Sequence, residues 1–141
     1  MTRILGDAWA VPALDDHNRA FFTVGRIVLR ACADCGAVQH PPDEVCGGCQ
    51  GTSFEDRESA GLGRVESVAV VHHPVTPALA EVGPYAVVVV SLDDVPGVHL
   101  VGNLRGTAPQ AVEIGQAVRA VFERARGSDG EALLIPQWEL R

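Results

Sequence analysis

The four cysteines of this 141-residue chain fall in two Cys-x-x-Cys pairs, Cys32 with Cys35 and Cys46 with Cys49, and none is left over. Two tight turns can bring four thiolates at this spacing to within about 2.3 Å of one Zn²⁺. A complete shell of four cysteines leaves no coordination position for water or substrate, so a metal held in this way is structural. The sequence therefore predicts a Cys₄ zinc site that stabilises a fold and takes no part in catalysis.

Three other interpretations of the cysteines stay open beside zinc. A rubredoxin-like iron site uses the same four-thiolate geometry. Two disulfides require an oxidising compartment, whereas residues 1–10 show no basic segment followed by the apolar stretch of a secretion signal. A thioredoxin-like redox pair needs a single motif that opens a helix, and here the motif is doubled among loop residues. We favour zinc, and we expect a cytoplasmic protein.

The composition excludes several kinds of chemistry. All 11 cationic side chains are arginine, so Schiff-base, pyridoxal-phosphate and P-loop lysine chemistry has no residue to use. The chain contains no Gly-x-Ser-x-Gly and no His-Glu-x-x-His motif, and the metal site takes every thiol. No apolar run approaches the roughly 20 residues that cross a bilayer, so we expect no membrane partner. A stand-alone small enzyme remains an alternative, although the sequence shows no recognisable set of catalytic residues for it.

The acidic charge argues against nucleic acid as a partner. The formal net charge is −7, and four thiolates around one divalent cation make it more negative. Zinc ribbons and β-barrels that bind nucleic acid are usually basic, because neutralising phosphates supplies most of their affinity. We expect no nucleic-acid partner and keep nucleic-acid binding as the second interpretation.

Composition divides the chain into three regions: an N-terminal helical arm at residues 1–25, a zinc ribbon at 26–57 and a barrel at 58–141. In the arm, Asp15 or Asp16 is a suitable N-cap for a short helix and Gly25 a suitable stop. Too few apolar residues lie in the ribbon for a core of its own, so metal binding must supply its folding energy. The aromatic residues of the arm pack either on the chain's own core or on another protein; they are Trp9, Phe21 and Phe22.

The third region has the period-two pattern of β-strands, with turn signals between the runs. The strand at residues 85–92 is nearly continuous in apolar side chains, which predicts burial on both faces. Five strands with a short helical or turn-like segment at residues 109–114 fit a small closed barrel of the OB type, and a Greek-key sandwich is the alternative. The predicted strands are residues 63–71, 85–92, 99–104, 117–124 and 132–138.

Five polar residues are candidates for ordinary surface roles. His40 is a conceivable metal ligand, but four cysteines already complete the shell, so we expect it on the surface. His72 and His73 are adjacent at a strand end. Adjacent residues of a strand point to opposite faces, so the two rings do not easily share one ligand. Arg64 and Arg105 are able to bind phosphate or carboxylate through paired hydrogen bonds, and surface salt bridges are the simpler expectation for both.

The order of these segments resembles that of the domain-of-unknown-function 35 family, which combines a zinc ribbon with an OB-fold and accompanies thiolase-superfamily enzymes. The resemblance spans nearly the whole chain. Gly47 departs from the family pattern, because proline commonly follows the first cysteine of the second pair. The family-like positions are Phe21-Phe22, Cys32-Ala33-Asp34-Cys35-Gly36, Pro41-Pro42, Cys46-Gly47-Gly48-Cys49, Gly61-Leu62-Gly63-Arg64-Val65, Pro84-Tyr85 and Ile114-Gly115-Gln116-Ala117-Val118.

The resemblance implies an accessory subunit without its own catalytic residues. In such complexes a thiolase-like, lipid-transfer-protein-like subunit makes or cleaves the C–C bond of a coenzyme A thioester. The ribbon and barrel chain docks beside it in a hetero-oligomer and helps to hold the acyl-CoA. Among the specific types we favour a retro-aldolase of sterol side-chain degradation, with the partner of a biosynthetic thiolase as the alternative. The expected acyl-CoA or partner contacts are Trp9, Phe21, Phe22, Arg64, Tyr85 and Arg105.

Overall fold

The structure is a computed structural model that describes residue 4, residue 6, residues 9–80 and residues 82–141. Part of the predicted N-terminal arm lies outside these residues. Within them the chain is mainly β, as predicted, with one short α-helix and two three-residue 3₁₀ helices at Pro77–Leu79 and Pro109–Ala111. Among the described residues, no helix is long and apolar enough to cross a membrane. The elements are α1 (Arg19–Thr23), β1 (Ile27–Cys32), β2 (Val38–Gln39), β3 (Phe54–Ser59), β4 (Leu62–Val71), β5 (Tyr85–Leu92), β6 (His99–Arg105), β7 (Ala117–Arg126) and β8 (Ala132–Leu140).

The N-terminal helix begins later than the capping pattern predicts. The Asp15 carboxylate accepts the backbone N–H groups of His17 and Asn18 at 2.8 and 2.9 Å, and these bonds from Asn18 and His17 lower the pKa of Asp15. Asp15 therefore caps a turn that precedes α1, and α1 itself has five residues. Phe21 of this helix is buried in the main hydrophobic core, which resolves its packing in favour of the chain's own core.

The ribbon is a three-stranded antiparallel sheet in the order β2, β1, β3. Ile27 and Leu29 of β1 are each 1% exposed and join the core that fills the barrel. The junction between ribbon and barrel is fixed by Asp94, whose carboxylate accepts the Ser59 hydroxyl at 2.6 Å and the Ala60 N–H at 2.8 Å. The base of the ribbon is thus joined to the barrel by both apolar packing and hydrogen bonds.

The five remaining strands close into a barrel in the order β4, β5, β6, β8, β7, with β7 returning to β4. All neighbours are antiparallel except β6 and β8, which pair in parallel at Leu104 with Trp138 and Arg105 with Glu139. A five-stranded closed barrel with strand order 1-2-3-5-4 is the OB-fold, so the sandwich alternative is wrong. At Gly63 a Cβ would overlap the Ser91 carbonyl oxygen, which explains a glycine inside β4.

Strand β5 has the predicted bounds but a different environment. Alternate residues from Ala86 to Leu92 point into the barrel, and Val88 and Val90 are fully buried there. The intervening side chains, from Tyr85 to Ser91, are half-buried on the outside of the barrel. The prediction of burial on both faces is therefore wrong, because the barrel interior covers one face of the strand only.

Candidate metal centre and neighbouring surfaces

Two turns of the same type present the four sulfurs. In each turn the carbonyl of the first cysteine accepts an N–H from four residues further on, Gly36 to Cys32 and Gln50 to Cys46, both at 2.9 Å. The donor has a positive φ in both turns, 78° at Gly36 and 67° at Gln50. Glycine adopts this conformation freely, whereas glutamine rarely does. Gly36 therefore indicates the first turn in the sequence, and Gln50 gives no such indication for the second.

The four Sγ atoms form one cluster and lie within 4.8 Å of one another. Cys32 and Cys49 are separated by 3.5 Å, and Cys35 and Cys46 by 3.6 Å. A tetrahedron of sulfurs with bonds of 2.3 Å to zinc has edges of about 3.8 Å, whereas a disulfide requires about 2.05 Å. All four cysteines are free, and neither pair opens a helix. The cluster therefore fits a Cys₄ metal site, and the disulfide and thioredoxin-like interpretations are wrong.

The cluster ionises unevenly in the absence of a cation. The backbone N–H groups of Cys49 and Gly48 lower the pKa of the Cys46 thiol to about 6. The N–H of Gly51 lowers the pKa of Cys49, but hydrogen bonding with the Cys32 and Cys35 thiols outweighs it and raises that pKa to about 12. The lowered pKa of Cys46 favours one thiolate in the cluster, and the raised pKa of Cys49 disfavours a further one. A divalent cation supplies the compensating charge that full ionisation requires.

A groove lies where α1, the ribbon and the barrel meet. It has a volume of about 220 Å³. The Phe21 ring lies 4.9 Å from Phe22 and 4.7 Å from the His40 imidazole, measured between centroids. His40 is half-buried in the wall of the groove, and this burial lowers its pKa. The lining residues are Phe21, Phe22, His40, Pro41, His99, Val101, Ile135 and Pro136.

The structure brings only some of the predicted contact residues together. Phe21 and Phe22 lie in the groove, whereas Trp9, Arg64 and Tyr85 are not among the residues that line it. Trp9 is half-buried, and Tyr85 is half-buried on the outer face of β5. Arg64 is exposed and donates to the Gly115 carbonyl at 3.0 Å, so its guanidinium remains accessible to solvent.

Arg105 was expected on the surface, and that expectation is wrong. Its side chain is 3% exposed, and it donates to Glu123 at 3.0 Å and to Glu139 at 3.1 Å. These bonds join β6, β7 and β8 inside the protein, next to the short parallel pairing that closes the barrel. The guanidinium is thereby committed to two carboxylates and is not placed to meet a ligand.

Sequence reasoning also missed the polar residues that complete this closure. Gln137 accepts the Asn103 backbone N–H at 2.7 Å and donates to the Asn103 side-chain oxygen at 3.0 Å. The Gln137 amide thus links β8 to β6 beyond their two paired residues. Glu123, 1% exposed in its side chain, also accepts the Ile4 N–H at 2.9 Å. For Gln137 the sequence signal was an amide side chain within a mostly apolar strand, whereas Glu123 stands among the arginines of β7 and carries no such signal.

Comparison with known proteins gives matches along most of the chain. Two family models match in succession, one described as "ChsH2, rubredoxin-like zinc ribbon domain" over residues 21–55 and one as "ChsH2, C-terminal OB-fold domain" over residues 56–123. A solved structure described as "Ltp2-ChsH2(DUF35) aldolase" matches with a TM-score of 0.72 and 34% sequence identity, over 92% of this chain and 98% of that chain.

Two curated relatives differ in how much of their length is matched. A "DUF35 domain-containing scaffold protein" of Methanocaldococcus jannaschii is 35% identical over 103 residues, which are 70% of this chain and 70% of the relative. A "Probable enoyl-CoA hydratase alpha subunit" of Thermomonospora curvata is 39% identical over 110 residues, which are 76% of this chain but 33% of the relative. The chain thus spans about a third of the length of that hydratase subunit.

Proposed function

The chain belongs to the DUF35 family of zinc-ribbon and OB-fold proteins, and we propose that it is the accessory, non-catalytic subunit of a thiolase-superfamily acyl-CoA complex. The observation that carries this proposal is the similarity to the chain of the Ltp2-ChsH2(DUF35) aldolase, 98% of which is covered at 34% identity. That name joins a DUF35 protein to a second component. The scaffold name of the archaeal relative supports the same kind of role.

The reactive groups of this chain support a division of labour between two subunits. All four thiols point into the metal cluster, where a closed shell leaves no nucleophile free. The carboxylates of buried Glu123 and half-buried Glu139 are both paired with the Arg105 guanidinium. What the chain offers is a rigid, metal-stabilised surface, which suits docking. We assign the making or breaking of the C–C bond to a thiolase-like partner.

We further propose that the chain helps to hold the acyl-CoA of the complex. The groove presents aromatic and aliphatic walls from Phe21, Phe22 and Ile135, which suit an apolar portion of a thioester. Exposed Arg64 suits an anionic portion. Trp9 and Tyr85, both half-buried, remain proposed contacts of the partner or the ligand. The aldolase name of the solved structure favours a C–C lyase, and the hydratase name of a curated relative favours a coenzyme A ester as the substrate. Our specific proposal is a retro-aldolase of sterol side-chain degradation in the cytoplasm.

Co-expression with a thiolase-like subunit from a neighbouring reading frame tests the proposal. We expect the two chains to co-purify through a tag on either one and to elute together with the mass of a hetero-oligomer. A biosynthetic thiolase that forms a complex without any DUF35 protein serves as the control and should elute separately. If this chain and the thiolase-like subunit elute separately at micromolar concentration, the role of an accessory subunit is rejected.

A further inference from the structure

One outer surface of the barrel carries formally charged side chains only at one end. It is formed by β4, β5 and β6 and is called here the uncharged face. Arg64 and Glu66 of β4 lie at that end: Arg64 pairs with Ser91 across the two strands, and the Glu66 carboxylate accepts the Ser91 hydroxyl at 2.7 Å. The strand pairings place Ser67 beside Val89, Ala69 beside Val87, and Val89 beside Val101. The uncharged face consists of Ser67, Ala69, Val71, Tyr85, Val87, Val89, Ser91, His99 and Val101.

Other sheet surfaces of this acidic chain do carry charges. The ribbon has the pairs Arg30 with Asp56 at 2.9 Å and Arg26 with Glu58 at 3.6 Å, and the β7–β8 surface has Arg119 with Glu139. The second and third strands of an OB barrel, here β5 and β6, form the face on which these folds bind their ligands. On this chain the centre of that face has no charged side chain, and Arg64 lies at its end beside Ser91. An apolar partner surface can therefore bind to the centre without desolvating an ion.

The uncharged face continues into the groove through His99 and Val101, which belong to both. Three strands spaced by about 4.8 Å and five residues of about 3.4 Å give the face roughly 250 Å². A stable interface needs about 800 Å² on each partner. An interface centred here must therefore extend across the groove to Phe22 on α1 and Pro41 on the ribbon.

We propose that the catalytic subunit docks on the uncharged face and on the rim of the groove at Phe22 and Pro41, with an uncharged apolar surface of its own at the centre of the contact. This arrangement leaves the interior of the groove to the acyl-CoA. The proposal rests on the function proposed above and identifies the surface that performs it. A second copy of this chain fits less well, because each copy has a net charge of −7 and the centre of the uncharged face contributes no cation to offset their repulsion. Since Pro41 belongs to the ribbon, docking depends on the folded metal site.

Two substitutions of equal exposure test this surface. Val101 and Ile114 are each 69% exposed, and Ile114 lies in the connection between β6 and β7, outside the uncharged face. In Val101→Asp the new carboxylate would be buried against an apolar partner without a counter-ion. We expect the Kd for the catalytic subunit, measured by biolayer interferometry, to rise at least about tenfold. Ile114→Asp should stay within about twofold of the unsubstituted chain.

Ala69→Asp, at the opposite edge of the uncharged face, is the second variant and should also weaken binding. Circular dichroism should show all three variants folded, because the substituted side chains are exposed. If Val101→Asp and Ala69→Asp bind as tightly as the unsubstituted chain, or if Ile114→Asp weakens binding equally, the uncharged face is not the docking surface. A dimer of this chain alone that Val101→Asp dissociates would assign the face to a second copy and overturn the proposal. Failure of the unsubstituted chain to bind would instead reject the proposed function.

Discussion

Loss of the metal is expected to unfold the ribbon and leave the barrel folded. Between Cys32 and Phe54, a stretch that the structure describes completely, Cys46 alone is buried. No apolar core is available to replace the metal there, and structural zinc contributes on the order of 10 kcal/mol in small zinc domains. The base of β1 behaves differently, since Ile27 and Leu29 pack in the barrel core. We therefore expect disorder in residues 33–53 and persistence of β4 to β8.

Hydrogen exchange with mass spectrometry measures this outcome segment by segment. In Cys46→Ser, or after chelation, amides of residues 33–53 should exchange fully within seconds, while those of β5 keep their protection. Val45→Ser is the matched control, because Val45 is adjacent to Cys46 and 46% exposed, and it should leave both segments unchanged. Elemental analysis of the untreated protein should give about one zinc per chain. Protected amides in a metal-free ribbon would contradict a structural role for the metal, and iron in the analysis would support the rubredoxin-like alternative.

Removal of the Arg105 side chain is expected to destabilise the barrel by about 3–5 kcal/mol, because it leaves a buried carboxylate without its cation. Glu123 is 1% exposed in its side chain and receives the Arg105 guanidinium at 3.0 Å. Urea denaturation of Arg105→Ala, followed by circular dichroism, measures the change in the free energy of unfolding. Replacing the unpaired Glu123 carboxylate with a neutral amide should restore part of the lost stability. The double variant Arg105→Met with Glu123→Gln should therefore be more stable than Arg105→Ala.

Arg119→Ala is the control for the same ion-pair network. Arg119 reaches Glu139 at 3.4 Å from a side chain that is 58% exposed, and exposed pairs contribute less than about 1 kcal/mol. A similar small loss in Arg105→Ala would show that the buried network does not hold the closure of the barrel. A large loss of stability in both variants would instead argue for a general effect of removing arginine.

The ligands and the barrel were predictable because both depend on short-range patterns. The Cys-x-x-Cys spacing determines which four sulfurs meet, and alternation together with turn residues gave the bounds of β5. Strand β3 was missed, because the sequence of Phe54–Ser59 is mostly charged and the strand forms through its pairing with β1. Its partner strand, and not its own side-chain pattern, determines that conformation.

The environments of Arg105 and His40 depend on contacts that are distant in sequence. Arg105 is buried because β8 pairs with β6 in parallel and brings Glu139, 34 residues away in sequence, beside it. His40 is half-buried because the Phe21 ring of α1 covers it. A period-two pattern assigns side chains to alternate faces, but it does not say which outer face another element will cover. For this reason the metal ligands were predicted residue by residue, whereas the groove was found only in the structure.

The most direct test of the central claim is acyl-CoA turnover by each subunit alone and by their mixture, followed by release or consumption of the coenzyme A ester. We expect no turnover by this chain alone, with the cleaved or condensed product formed once the thiolase-like subunit is present. Loss of that activity in Val101→Asp, with Ile114→Asp active, would link it to docking. Turnover of a coenzyme A thioester by the purified chain alone would contradict the account.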